Sequence, residues 1–95
     1  MKDIIKSKYK RKAVIYDNIW MYFLNNALEI IAECKNKKIN ILSLEAFRIS
    51  GKGIQPSQEH SIDFSQKDGN WEKAIDFLNQ KENSDYLYEI WYEGY

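Results

Sequence analysis

Ile39-Asn40-Ile41-Leu42-Ser43-Leu44-Glu45-Ala46-Phe47-Arg48-Ile49 is the stretch on which the fold turns. Its branched and aromatic side chains and its near-alternation predict a strand over residues 39–49. Successive side chains of a strand point to opposite faces. Leu42, Leu44 and Ala46 are therefore expected on one face, toward helices, with Ile41, Ser43, Glu45 and Phe47 on the other. Glu45 is the informative residue, because a carboxylate in the middle of a strong strand needs an open face or a partner.

Working outward, residues 17–36 read as one long helix. Asp17 or Asn18 is placed to cap its start by accepting backbone N–H groups. At about 100° per residue, Ile19, Trp20, Phe23, Leu24, Ala27, Leu28, Ile30, Ile31 and Cys34 fall on one broad apolar arc. Asn36 followed by Lys37 and Lys38 reads as the stop, since Asn tolerates a left-handed backbone and cations suit a helix C-terminus. Beyond the central strand, Ser50-Gly51-Lys52-Gly53 is a turn signal and lacks the spacing of a phosphate-binding loop. Residues 54–58 read as an edge or loop passage, because Pro56 offers no N–H to a central strand.

Residues 59–65 alternate as a second strand, with His60, Ile62 and Phe64 on one side and Ser61 and Asp63 on the other. Lys67-Asp68-Gly69 makes the next turn. Residues 70–81 form a second amphipathic helix capped by Asn70, with Trp71, Ala74, Ile75, Phe77 and Leu78 on its apolar arc. Residues 86–92, Tyr-Leu-Tyr-Glu-Ile-Trp-Tyr, complete a third strand. The expected fold is α+β in the order helix-strand-strand-helix-strand. A three-stranded, mainly antiparallel sheet with two helices on one face buries both apolar arcs. Val14 and Ile15 are placed to add a short extra strand.

A chain of 95 residues suits a single domain with a single core. The three Trp, seven Tyr and four Phe supply that core, and a mean hydropathy of -0.62 fits a water-soluble protein. Net charge is zero but polarised. Residues 2–12 carry six cations against Asp3, a net +5, and residues 70–95 carry two cations against six carboxylates, a net −4. We therefore expect residues 1–12 to be a basic lead, mostly mobile, and residues 13–95 to be the domain. The lone Cys34 suits a reducing compartment, and there is no uninterrupted run of ~18 apolar residues, so the expected location is the cytoplasm.

No constellation calls for catalysis, a metal or a cofactor. His60 stands beside Glu59, with Asp63 three residues on, but strand alternation puts both carboxylates on the side that His60 does not share. A zinc site is unsupported with one His and one Cys. Cys34 lies on the apolar arc, where a thiol acts as a small hydrophobe. The richer set spans the strands: Glu45, Phe47, Asp63, Glu89, Trp91 and Glu93 are expected to share an open face. Carboxylates massed there repel one another until a cationic partner arrives, and aromatics among charges mark protein interfaces.

The layout is similar to small bacterial immunity proteins of polymorphic-toxin, contact-dependent-inhibition and nuclease-colicin systems. The resemblance lies in the helix with its Lys/Asn link, the strand from Ile39 to Arg48, the Gly turn, the second strand and the helix opening on Trp71. It covers residues 15–92 as an arrangement. It implies a cytoplasmic, non-catalytic inhibitor that binds a cognate toxin domain, often a nuclease with a basic active site. Charge complementarity speeds such association. The alternative expectation is a small nucleic-acid-binding domain using Lys2–Lys12, although zero net charge argues against general nucleic-acid binding.

Overall fold

The computed structural model describes residues 4–51, 53–64, 69–80, 83 and 85–94. Readings that fall on Lys2, Asp3, Lys52, Ser65, Lys67, Asp68 and Lys81 lie outside the described residues. The elements are α1 (Ile4–Tyr9), β1 (Val14–Tyr16), β2 (Ile19–Met21), α2 (Leu24–Asn36), β3 (Ile41–Ser50), β4 (Gly53–Asp63), α3 (Trp71–Leu78) and β5 (Leu87–Tyr92), with a 3-10 turn at Lys10–Lys12 after α1. The fold is α+β, and β3 runs in the middle of an antiparallel sheet of order β4-β3-β5. Three helices are present among the described residues where two were expected. A separate two-stranded sheet, β1-β2, is also present.

The largest departure is at the start of the long helix. Val14–Met21 form a hairpin, with Val14 opposite Met21 and Tyr16 opposite Ile19. Asp17 and Asn18, expected as helix caps, are its two-residue turn, with φ of 49° and 65°. A type I′ hairpin turn requires positive φ at both central residues, and Asp and Asn are the side-chain-bearing residues that best tolerate it. Helix α2 begins only at Leu24 and has no side-chain cap. It ends as expected at Asn36, but the left-handed residue is Lys38 (φ 56°). The Ile39 N–H reaches back to Cys34 O at 2.8 Å and the Lys38 N–H to Lys35 O at 3.2 Å, a Schellman closure with Lys in the usual glycine position. That closure delivers Ile39 directly into β3.

The main core lies between the helices and one face of the sheet. Ala27, Ile30, Ile31 and Cys34 of α2, with Ala74 and Leu78 of α3, meet Leu44 and Ala46 of β3 and Tyr88, Ile90 and Tyr92 of β5. Ile41, expected on the other face, joins this core, because the β3–β5 register shifts between Ile41 and Ser43. Within the basic lead, Ile4–Tyr9 form α1, which buries Ile5 and Tyr9 in the same core. Two cations of this segment pair with α2, with Lys8 Nζ 2.7 Å from Glu33 Oε1 and Lys12 Nζ 3.2 Å from Glu29 Oε2.

Helix α3 is anchored through the β3 entry. Asn70 occupies its N-cap position with a left-handed φ of 66°, yet its side chain does not cap the helix. The Asn70 amide instead donates to Ile41 O at 2.9 Å, and the Trp71 indole donates to Ile39 O at 2.8 Å.

Candidate functional site: a groove on the outer sheet face

The sheet face turned away from α2 and α3 has two unequal halves. At the β3–β4 turn end, the β1-β2 hairpin closes over it. Met21, Phe47 and Leu87 are buried together, with Val14, Ile19 and Ile54 against them. The hairpin is tied to the sheet by reciprocal backbone hydrogen bonds between Tyr22 and Tyr88, at 2.8 and 2.9 Å. Phe47, expected on the open face, therefore belongs to a second small core and is 6% exposed. Alternation placed it on the correct face, and the hairpin then covered it.

The other half stays open. Across the sheet, Asp63 of β4 and Trp91 of β5 both pair with Ser43 of β3. One step along, Glu45 pairs with Glu89 on the β5 side. On the β4 side Glu45 meets a bulge, since the register passes from Leu44↔Ile62 to Ala46↔Ser57. The Ser61 hydroxyl clips this bulge, accepting the Ala46 N–H at 2.8 Å and donating to Ser57 O at 2.6 Å. The small Ser43 and the outward bulge leave a groove of about 510 Å³ whose walls include Glu45, Pro56, Gln58, Asp63 and Trp91. Bulges commonly re-aim side chains near functional surfaces.

Glu45 and Asp63 are exposed in this groove, and Trp91 is 39% exposed. Glu89 is not part of the open surface: it is 6% exposed, and its Oε1 accepts the Trp91 indole N–H at 3.0 Å. Its role is to fix the indole, so the ring presents one orientation to the groove. Behind Trp91, a smaller depression is lined by Lys6, Asn18, Glu89 and the same indole. Lys6 Nζ lies 5.3 Å from the centroid of the Trp20 ring, within cation–π range. Glu93 is exposed past the end of β5, where its carboxylate meets Asn40 Nδ2 at 3.4 Å, outside the groove. Asp63 also borders a depression shared with Lys73 and Asp76.

No family model matches the chain, and no curated protein matches it. The site must be read from its own chemistry.

His60 forms a distinct cluster on the bulge. Its ring stacks on Tyr86 with centroids 4.2 Å apart, and Nδ1 is 2.9 Å from Asn83 Oδ1. The Asn83 amide nitrogen donates to Phe77 O at 2.6 Å, which leaves Oδ1 as the acceptor and His60 Nδ1 as the donor. The same Asn83, fully buried, accepts at its backbone carbonyl from the Tyr88 hydroxyl at 3.0 Å. Burial pushes the Tyr88 phenol far above its ordinary titration range. These contacts hold Asn83 and Tyr86 against the sheet and account for His60 structurally. Among the described residues, no group of three or more His, Cys, Asp or Glu is placed to hold a metal ion. No helix among them is long and apolar enough to cross a membrane.

Of the six residues expected to form the partner surface, the fold brings Glu45, Asp63 and Trp91 to one groove. It sets Glu89 behind the indole, buries Phe47 under the hairpin and leaves Glu93 beyond the strand end. Sequence reasoning missed Ser43, Pro56, Gln58 and Lys6. Ser43 was detectable as the small residue two positions before Glu45, on the same face. Lys6 carried no signal, because its place depends on α1 docking across the sequence.

Proposed function

We propose that this protein is a non-catalytic binding module of the immunity type, and that its groove docks a basic surface of a cognate toxin domain. The observation that carries the reading is the pairing of two exposed carboxylates, Glu45 and Asp63, with the half-exposed, hydrogen-bonded indole of Trp91 in one concavity. Acidic groups around a fixed aromatic suit a cationic protein surface, because the charges steer encounter and the rigid ring supplies a contact that costs little conformational entropy. The catalytic surfaces of nucleases are basic because they hold phosphates, so a nuclease domain is the toxin class favoured here.

Co-expression with any toxin-like protein encoded beside this gene tests this. The expected result is protection of the host, a 1:1 complex, and loss of both with Glu45→Lys and Asp63→Lys together. An adjacent toxin that kills equally well with and without the protein would overturn the reading. Affinity should fall steeply with salt, because the contacts at the groove rim are solvent-exposed.

A further inference from the structure

From the two sides of Trp91 we infer that the groove is a receptor for a single arginine side chain of the partner, with its guanidinium between Glu45 and Asp63 and against the indole. The inference rests on the proposed function for the identity of the partner, but its chemistry stands on separate observations. The chain already seats one of its own cations on this wall: Lys6 shares a depression with Glu89 and Trp91 and lies against the Trp20 ring. The indole is common to that depression and to the groove. On the groove side the lining has two carboxylates and an aromatic wall but no Lys or Arg among the described residues. Neither Glu45 nor Asp63 has an ion pair or side-chain hydrogen bond with a described residue.

The shape selects the cation. A guanidinium is planar, stacks on aromatic faces and donates in a fork, so it can serve two carboxylates and a ring together. An ammonium also has three donors, but it is a strongly hydrated point charge with no plane to lay along the indole and no fixed fork to match the carboxylates. The groove floor at Ser43 is small and polar, with a hydroxyl to receive a further donor. Lys6 cannot cross to this side, because Ile5 and Tyr9 on either side of it are buried in the main core.

The probe is a terminally blocked Gly-Ser-Arg-Ser-Gly pentapeptide, titrated into the intact protein and followed by amide and indole NMR shifts. Saturable 1:1 binding on the order of millimolar is expected. The Trp91 indole N–H and the amides of Ser43, Glu45 and Asp63 should respond. The citrulline peptide, isosteric but neutral, should bind ~10-fold more weakly or worse, with the lysine peptide between the two. Glu45→Gln with Asp63→Asn should abolish the response, whereas Glu72→Gln, the same charge change on α3, should leave it intact. Equal shifts with the citrulline peptide, or non-saturating shifts spread over every acidic surface, would overturn the inference. A protein that binds the arginine peptide but neutralises no toxin keeps this inference and loses the functional reading. A protein that neutralises its toxin through the groove but shows no preference for the arginine peptide over the citrulline peptide does the reverse.

Discussion

The two halves of the outer sheet face are built from the same strands by the same alternation, yet one is core and the other is surface. Phe47 and Glu45 are neighbours on one face of β3, and Leu87 and Glu89 are neighbours on one face of β5. Phe47 and Leu87 lie under the β1-β2 hairpin with Met21, whereas Glu45 opens onto solvent. Strand periodicity therefore determines the face to which a side chain belongs. What lies over that face is determined elsewhere, here by eight residues from Val14 to Met21. The boundary between the halves is sharp because the hairpin is fixed at both ends. It pairs with β5 through Tyr22 and Tyr88, and at its turn end the Tyr16 hydroxyl approaches Gly53, where an added Cβ would meet it at 3.1 Å.

The most severe way to break this contrast is to empty the covered half. Phe47→Ala removes a buried ring from the second core and should cost about 3–4 kcal/mol in urea unfolding. Glu45→Ala, two residues away on the same face, should change stability by no more than about 0.5 kcal/mol. If the two substitutions cost the same, the hairpin does not cover the sheet as described. The toxin and arginine assays should rank them oppositely, with Glu45 the sensitive position.

A second test acts on the cover itself. Asn18 holds a φ of 65° at the hairpin turn, a conformation that a β-branched residue adopts only under strain. Asn18→Val should lose roughly 1–2 kcal/mol. Asn18→Gly, which is free to take positive φ, should be neutral to within a few tenths of a kcal/mol. Hydrogen exchange at Met21 and Leu87 should rise in the valine variant before exchange at Ile30 and Ile90. Uniform acceleration across both cores would show that hairpin and sheet open as one unit.

The turn also shows how much of the molecule was legible. The three-stranded sheet, the helix before β3 and the helix opening at Trp71 follow from periodicity that tertiary packing left intact. The hairpin did not emerge because Ile19, Trp20, Phe23 and Leu24 fit a helical arc as well as they fit a strand and its exit. Short apolar runs carry that ambiguity. The deciding signal was present: two residues able to take positive φ, Asp17-Asn18, stood between the three-residue runs Val14-Ile15-Tyr16 and Ile19-Trp20-Met21. Without glycine in the second position the turn also resembled a helix cap. For the site, the residue types were readable but their depth was not. Alternation placed Glu45, Asp63, Glu89 and Trp91 on one face. It did not show that Glu89 would sink beneath the indole of Trp91.

A third test reshapes the open half without touching its charges. Ser61→Ala removes the hydroxyl that clips the bulge, leaving the Ala46 N–H and Ser57 O without it, and should cost about 1 kcal/mol. The larger consequence is functional. If the bulge makes the groove, Ser61→Ala should weaken arginine-peptide binding while leaving Glu45 and Asp63 in place. Unchanged binding would mean that the carboxylates suffice and the groove shape is incidental.

The smallest expected effect separates charge held within the fold from charge held out to a partner. Glu33 hydrogen-bonds Lys8, and this bond, with Lys37 adding to it, lowers the Glu33 carboxyl below the ordinary glutamate range. A carboxyl lowered on folding stabilises the native state above its unfolded value, and the contribution is lost as pH falls through the folded one. Lys8 is raised by the same bond, so its contribution is present below the ordinary lysine value and fades as pH climbs through the raised one. The pair therefore favours the fold at neutral pH and weakens at both extremes. Glu33→Gln should flatten both limbs of a stability-versus-pH curve, since it also removes the partner that raises Lys8, and only slightly, because the pair is solvent-screened. Lys8→Met should flatten both limbs, and neither variant should alter binding at the groove. Glu45→Gln should behave in the opposite manner, weakening the complex while changing the stability in urea unfolding by no more than about 0.5 kcal/mol. If Lys8→Met instead abolished partner binding, the basic face of α1 would be the working surface, and the acidic groove would be an ordinary solvated half of the sheet.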